Sequence, residues 1–271
     1  MQIAFIGGGN MAAALVGGLL ARGAAPASLR VVEPLAAQRE ALHARFGVAA
    51  FERAGADALG GADLVVLAVK PQQMREAVAP LQPLLREALV VSVAAGIRAS
   101  DLSRWLDGHR RVVRAMPNTP ALIGMGVTGL AALPGTGQAD RETAERVLGA
   151  VGPTVWVDDE SLLDAVTAVS GSGPAYVFLF MEAMQQAALG LGLDAHQARE
   201  LVLNTFAGAA QLALRADEPP ATLRERVTSR GGTTAAALAV MEAGDLRGLV
   251  GRAIAAAHRR GVEMGDEFGS A

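Results

Sequence analysis

Short apolar runs alternate with helical stretches through the first part of the chain. An unbroken apolar run is typical of a strand buried on both faces of a parallel sheet, and residues 63–69, read as DLVVLAV, show this clearly. The predicted strands are residues 2–6, 28–33, 48–51, 63–69, 89–93, 111–115, 127–133 and 154–157. The predicted helices between them are residues 10–22, 34–46, 71–87 and 138–151. This alternation favours an α/β fold with a doubly wound parallel sheet.

The pattern changes near residue 159, after which only helical periods occur. The predicted helices there are residues 159–169, 174–191, 194–216, 220–228, 233–243 and 246–267. We therefore predict two domains, a Rossmann domain of residues 1–158 and an all-helical domain of residues 159–271. The longest apolar stretch, residues 175–193, contains three polar side chains, so we expect a buried helix there rather than a membrane span.

Composition narrows the class of protein. Hydrophobic residues make up 51% and charged residues 19% of the chain, so it can bury a substantial core. The net charge of -3 gives no support for nucleic acid or an anionic membrane as partner. The helical half is rich in small aliphatic residues and poor in aromatic ones, which leaves little to bury within one subunit. We therefore expect a homodimer whose main interface lies in that half.

The lack of cysteine, the first residues and the spacing of the histidines give predictions about the location of the protein and about metal binding. Cysteine is absent, which excludes disulfides, thiolate metal ligands and a cysteine nucleophile, and a reducing cytoplasm suits such a chain. The first residues show no basic segment leading into an apolar one, so we predict no signal peptide. The four histidines are far apart and have no metal-ligand spacing, so we predict no metal site.

The first predicted strand runs directly into a glycine-rich turn. Gly7, Gly9 and Ala12 satisfy the pattern G-x-G-x-x-A between a strand and a helix. In a dinucleotide site, Gly7 permits the tight turn, Gly9 lets the backbone approach a pyrophosphate, and Ala12 keeps the helix close to the strand. The free N–H groups at the helix start favour the phosphates. The turn therefore predicts a site for NAD or NADP.

The second predicted strand ends in an acidic residue, Glu33. It follows the glycine turn at about the spacing, some 20 residues, at which an acid accepts hydrogen bonds from the adenosine ribose. This favours NAD over NADP, and a solvated carboxylate at a strand end is the structural alternative. Arg30 and Arg39 lie close in sequence and could instead hold a 2′-phosphate, so the preference between NADPH and NADH stays open.

Further candidates lie where other strands end. Ligands of open α/β sheets bind at the carboxyl ends of the strands, which puts residues 69–71 beside the coenzyme. Small residues at 94–96 follow the next strand and would let the backbone approach a ligand. Asn118 either fixes a local turn or contacts the nicotinamide side. Lys70 is the only lysine of the chain, so a mechanism that needs a lysine depends on it.

A second glycine segment, residues 229–234, reads SRGGTT and precedes a predicted helix. The N–H groups of a helix start, together with the hydroxyls of Ser229, Thr233 and Thr234, can hold a small anion such as a carboxylate. Ordinary N-capping by serine or threonine is the alternative explanation of the same residues.

Six segments in this order resemble the pyrroline-5-carboxylate reductase family: FIGGGNMA, AVKP, AAG, RAMPNTP, DAVTAVSGSGPAY and VTSRGGTTAAAL. The resemblance covers residue 3 to about residue 260. It implies a Rossmann domain followed by a helical domain through which subunits dimerise and, in some members, assemble into decamers. The implied reaction is the last step of proline biosynthesis, in which NADPH or NADH reduces 1-pyrroline-5-carboxylate to L-proline.

The resemblance also implies roles for matching residues. The loop at residues 229–234 would hold the substrate carboxylate, with Thr234 closest to the imine nitrogen, and Asp217 matches an acidic position near the substrate. With Glu33 and Asn118 from the strand ends, the predicted coenzyme-binding residues are Ile6, Gly7, Gly8, Gly9, Asn10, Met11, Glu33, Val69, Lys70, Pro71, Ala94, Ala95, Gly96 and Asn118. The predicted substrate-binding residues are Asp217, Ser229, Gly231, Gly232, Thr233 and Thr234.

Two positions depart from the family pattern. Many members have proline where this chain has Arg230, and many have a hydroxyl or a basic residue where it has Glu33. The first departure bears on the geometry of the substrate loop. The second bears on the usual preference for NADPH.

The predicted mechanism is hydride transfer from nicotinamide C4 to the imine carbon, which requires proximity and orientation rather than a nucleophile or a metal. We assign Thr234 to hydrogen-bond the imine nitrogen and relay a proton, and Lys70 to orient the coenzyme or the substrate. One alternative is a β-hydroxyacid dehydrogenase, which usually has a catalytic lysine in the helical domain, where this chain has none. The other is a catalytically silent dinucleotide-binding regulator, which has no use for a second anion site.

Overall fold

The computed structural model describes residues 1–269. Its first part contains an eight-stranded sheet in the order β3-β2-β1-β4-β5-β6-β7-β8. The strands are β1 (Ile3–Ile6), β2 (Leu29–Val32), β3 (Ala49–Phe51), β4 (Leu64–Leu67), β5 (Leu89–Ser92), β6 (Val112–Met116), β7 (Thr128–Ala132) and β8 (Thr154–Trp156). The first six strands are parallel and have the Rossmann order, with the topological switch between β1 and β4. The predicted α/β class is confirmed.

The last two strands run the other way. β7 pairs antiparallel with β6, and β8 is parallel to β7. A parallel crossover needs a dozen or more residues and usually a helix, whereas the link from β6 to β7 contains only the 3₁₀ turn Thr119–Ile123. The prediction of an entirely parallel sheet is therefore wrong for β7 and β8.

Eight short and medium helices accompany the sheet among the described residues. They are α1 (Asn10–Ala21), α2 (Ala36–Phe46), α3 (Ala56–Leu59), α4 (Met74–Val78), α5 (Gln82–Leu85), α6 (Ala99–Trp105), α7 (Gln138–Leu148) and α8 (Leu162–Val166). The single helix predicted over residues 71–87 is wrong. Pro80 has no N–H with which to continue α4, and the chain restarts as α5 with Pro83 in its first turn.

Each face of the sheet carries its own apolar cluster. Along β1, Phe5 joins one cluster, whereas Ala4 and Ile6 join the other. Leu15 of α1 covers the first face and Met74 of α4 covers the second, and both side chains are fully buried. Burial on both faces explains why the strands read as unbroken apolar runs.

The remaining helices begin with a wide turn. A π-helical turn, Thr167–Gly171, leads into α9 (Gly173–Gly190), which is followed by α10 (Ala195–Arg215), α11 (Pro220–Arg226), α12 (Thr233–Ala243) and α13 (Leu246–Gly269). The continuous stretch Leu162–Gly190 is long and apolar enough to cross a membrane, a test that many core helices of soluble proteins also pass. No residue of α9 is buried within the chain, so the prediction of a buried helix is wrong for a single copy.

The described chain forms two compact units. The first contains Met1–Ser172 together with the chain from Ala257 onward, and the second is Gly173–Ala256. Helix α13 therefore begins in the second unit and ends in the first. The predicted domain boundary after residue 158 stays a prediction.

Candidate active site

The glycine turn after β1 is shaped by close contacts. Gly7 has a φ of 97°, and a Cβ built on it would lie 2.7 Å from the carbonyl oxygen of Ala68. Both the backbone angle and the space therefore require glycine at this position. Gly9 caps α1, and a Cβ on it would meet nothing within 4 Å, so the chain is open to a ligand there. Ala12 is fully buried against the core.

Glu33 is fixed beside this turn. Its Oε2 accepts a hydrogen bond from Gly8 N–H at 3.0 Å, and its Oε1 accepts one from Leu35 N–H at 2.9 Å. Gln38 donates from Nε2 to the carbonyl oxygen of Gly8 at 2.8 Å. The carboxylate is thus held in place and still has lone pairs for a ligand hydroxyl. The sequence did not predict Gln38 as a residue of this site. Its position on the helix that follows Glu33 is the only sequence feature that indicates it.

The two arginines near Glu33 are anchored to the backbone. Arg39 donates from Nη1 to the carbonyl oxygens of Glu33 and Pro34, at 2.8 and 2.7 Å. Arg30 donates from Nη1 to the carbonyl oxygen of Gly60 at 2.8 Å. Both guanidinium groups are therefore engaged by backbone carbonyl oxygens. The charged group that lies at the glycine turn itself is the carboxylate of Glu33.

Three predicted segments meet at the carboxyl edge of the parallel strands. The register pairs Ile6 with Leu67 and Leu67 with Ser92, so the chain leaves β1, β4 and β5 at the same level. The glycine turn, residues 69–71 and residues 94–96 consequently lie at one edge. Lys70 in the second segment is exposed.

Asn118 at the end of β6 has both ends of its side chain engaged. Its Oδ1 accepts from Val127 N–H at 2.9 Å, and its Nδ2 donates to the carbonyl oxygen of Ser170 at 3.1 Å. The side chain therefore ties the loop before β7 to the π-helical turn. The sequence allowed a local turn role for Asn118, and the structure adds a contact with Ser170, 52 residues away. Contact with nicotinamide stays a prediction.

The second glycine segment enters α12 without a capping side chain. Gly232 is the N-cap, and no side chain caps the helix. The serine and threonine side chains therefore leave the first N–H groups of the helix uncapped, as an anion site requires. Gly231 has a φ of 71°, and a Cβ on Gly232 would lie 2.5 Å from Ser229 Oγ, so both glycines suit the turn. Thr234 is half-buried in the first turn of α12.

Asp217 is exposed in the link between α10 and α11. Among residues 1–269, no three side chains of His, Cys, Asp or Glu are grouped so that they could hold a metal ion.

A strong ion pair lies at the amino edge of the sheet. Arg111, just before β6, donates to both carboxylate oxygens of Asp140 on α7, at 3.1 and 2.6 Å. The hydrogen bonds from Arg111 hold the pKa of the Asp140 carboxyl below its usual value. This pair fastens a helix to the sheet at the edge opposite the glycine turn.

Comparison with known proteins shows the family. Residues 160–264 match the family described as pyrroline-5-carboxylate reductase dimerisation, and residues 2–96 match the family described as NADP oxidoreductase, coenzyme F420-dependent. A pyrroline-5-carboxylate reductase of Pseudomonas aeruginosa is 48% identical over 269 residues, which cover 99% of this chain and 98% of that protein. The chain belongs to the pyrroline-5-carboxylate reductase family.

Solved structures of pyrroline-5-carboxylate reductases share the architecture. The enzyme of Coxiella burnetii has a TM-score of 0.93 and 40% identity, with 97% of this chain and 98% of that chain covered. The enzyme of Plasmodium falciparum, solved with NADP bound, has a TM-score of 0.85 and 26% identity, with 98% of both chains covered. As a member of this reductase family the protein is an oxidoreductase. The family membership decides against the hydroxyacid dehydrogenase alternative.

Proposed function

We propose that the protein reduces 1-pyrroline-5-carboxylate to L-proline with NAD(P)H as the hydride donor. The observation that carries this proposal is identity of 48% with a pyrroline-5-carboxylate reductase over nearly the whole of both chains. A coenzyme is expected at the glycine turn, where Gly9 is open to a ligand and α1 begins. The bound coenzyme would supply a hydride from nicotinamide C4 to the imine carbon, which is electrophilic when the imine nitrogen is protonated.

The substrate carboxylate is held at the start of α12. The N–H groups of the first turn and the exposed hydroxyls of Ser229 and Thr233 suit a carboxylate, and the glycine N-cap leaves room for one. Thr234 donates to the imine nitrogen and relays the proton. Lys70 orients the coenzyme or the substrate with its exposed ammonium group, and Asp217 lies near the substrate.

The residues at the end of β2 favour NADH. Glu33 is fixed beside the glycine turn, where it can accept a hydrogen bond from the ribose 2′-hydroxyl. A 2′-phosphate at the same place would face this carboxylate at close range, which is unfavourable. Arg39 would have to leave two backbone carbonyls to compensate. We therefore expect a higher kcat/KM with NADH than with NADPH.

Residues 159–271 act as a dimerisation and substrate domain, and residues 1–158 act as the coenzyme domain. The dimerisation match at residues 160–264 and the exposed apolar side chains of α9 support a homodimer. Further assembly into a decamer and a cytoplasmic location remain predictions. Light scattering over a range of protein concentrations tests the dimer, and phase partition in detergent tests whether α9 instead enters a membrane.

The first experiment follows the oxidation of NADH and of NADPH by absorbance, with purified protein and 1-pyrroline-5-carboxylate. Turnover with either coenzyme is the expected result, and the ratio of the two kcat/KM values measures the coenzyme preference. If folded, dimeric protein binds coenzyme without turning over the imine, the reductase proposal is wrong and a silent regulator takes its place.

A further inference from the structure

The last three turns of α13 belong to the first unit and pack on the rest of it through glycines spaced four residues apart. A Cβ built on Gly261 would lie 3.6 Å from Cβ of Asp164. One on Gly265 would lie 3.1 Å from Nη2 of Arg98. The spacing puts these glycines on one side of the helix. Larger side chains there would push α13 away from Asp164 and Arg98.

Polar contacts fix the end of this helix on α6. Arg98 donates from Nη2 to Oδ1 of Asp266 at 2.5 Å, and Arg104 donates from Nη2 to the carbonyl oxygen of Gly269 at 2.6 Å. Arg98 is the N-cap of α6, and Arg104 lies in the last turn of that helix. The end of α13 is therefore held at two points along α6.

The apolar side of the same segment covers the turn after β5. Gly96 is buried with a φ of 74°, and a Cβ on it would lie 3.1 Å from Cβ of Met264 and 3.2 Å from Cδ2 of Phe268. The ring of Phe268 also packs against the apolar cluster on this face of the sheet. Met264 and Phe268 therefore form one wall of the turn at residues 94–96.

This turn is one of the three segments at the carboxyl edge. We infer that Phe268, supported by Met264, is a positioning residue that holds the turn at residues 94–96 in the shape that accepts the coenzyme. The inference rests on the proposed function, since that proposal makes the turn a coenzyme contact. Phe268 touches the turn and acts through it. It also lies beyond residue 264, where the match to the dimerisation family ends.

Coenzyme binding and the packing of Phe268 should then be coupled. A coenzyme that binds only to the ordered turn also stabilises the packing of the end of α13 on that turn. By linkage, this packing raises the affinity for the coenzyme by the same factor. Loss of the Phe268 ring would consequently lower the affinity for the coenzyme and leave the affinity for the imine unchanged.

The test compares two phenylalanine substitutions, Phe268→Ala and Phe46→Ala. Phe46 is also partly buried, but it closes α2 against the other apolar cluster. We expect Phe268→Ala to raise the Kd and KM for NADH by about five- to fiftyfold, a usual range for coupled sites, with the KM for the imine unchanged. Phe268→Leu should recover most of the affinity. Phe46→Ala should lower Tm with no change in the coenzyme constants.

Asp266→Ala gives a second variant, because Asp266 is exposed and its removal leaves no cavity. It should raise the Kd for NADH to a smaller extent, and NADH should slow amide exchange of residues 262–268 in the wild-type protein. The inference is overturned if wild type turns over normally and the coenzyme Kd of Phe268→Ala is unchanged, or matches that of Phe46→Ala. Failure of wild type to reduce the imine would instead overturn the proposed function.

Discussion

The two compact units differ in how they bury apolar side chains. In the first unit, Phe5 and Leu67 have no exposed surface, and both faces of the sheet are covered by the unit's own helices. In the second unit, Phe178 is 63% exposed and Leu179 is 66% exposed, both on one helix without a buried residue. Large apolar side chains exposed side by side mark an interaction surface. The first unit buries its own core, whereas the second leaves large apolar side chains uncovered, as expected for the proposed homodimer.

The largest expected effect concerns that exposed helix. Leu179→Asp would put a charge without a counterion into the proposed dimer interface, which is costly once the surface is covered. We expect the mass from light scattering to fall from dimer to monomer and reductase activity to be lost.

Val155→Asp is the matched control. Val155 is a 53% exposed aliphatic residue on β8 in the first unit, outside the proposed interface. It should leave both the mass and the activity as they are. A Leu179→Asp variant that remains a fully active dimer would show that the second unit does not associate through α9.

The next effect tests whether the chemistry depends on the second unit. Thr234→Ala should lower kcat/KM by about ten- to a thousandfold, because the imine nitrogen loses its proton donor. Thr234→Ser retains the hydroxyl and should keep most of the activity. Unchanged kinetics for Thr234→Ala would remove this residue from the mechanism.

A smaller effect tests the first unit as the place of coenzyme choice. Glu33→Ser removes the carboxylate beside the glycine turn, and we expect the NADPH to NADH ratio of kcat/KM to rise by about ten- to a hundredfold, since a charge repulsion at the 2′-position is lost. Glu40→Ser, an exposed change on α2, is the control and should leave the ratio unaltered. An equal ratio in both variants would place the preference elsewhere.

The smallest effect concerns the stability of the first unit alone. The folded-state pKa of Asp140 lies below its unfolded value, so its pairing with Arg111 stabilises the protein at neutral pH and is lost as the pH falls below about 4. Asp140→Asn should lower Tm at pH 7 by a few degrees, about the effect of 1 kcal/mol. The gap from wild type should narrow at pH 3.5. Scanning calorimetry measures both, and a constant gap at all pH values would contradict the pairing.

Much of the sheet could be predicted because its strands follow local rules. The runs that became β1 and β4 are apolar throughout, and β2 and β5 each contain only one residue that is not apolar, Arg30 and Ser92. Burial on both faces of the sheet favours such runs. The glycine turn could also be predicted. The positive φ of Gly7 and the close approach of Ala68 both require glycine there. The apolar runs and the glycine pattern can be identified within short stretches of sequence, although the contacts that require them join distant segments.

Features that lack a clear local pattern, or that depend on distant contacts, could not be predicted. The reversal at β7 depends on a short link, and α6 has no counterpart among the predicted elements because its seven residues show no clear period. The double engagement of Asn118 joins segments 52 residues apart. Phe268 and Gly96 are far apart in sequence, and the regularly spaced glycines at the end of α13 are the only sequence feature that indicates a close contact there.

The return of α13 to the first unit has a consequence for synthesis. The turn at residues 94–96 emerges from the ribosome well before the end of α13, which covers it. At about 5–20 residues per second, the nascent sheet waits several seconds or longer for it. During that interval the apolar surface that will receive Phe268 is open. We therefore expect the turn at residues 94–96 to reach its final packing only after α13 has left the ribosome.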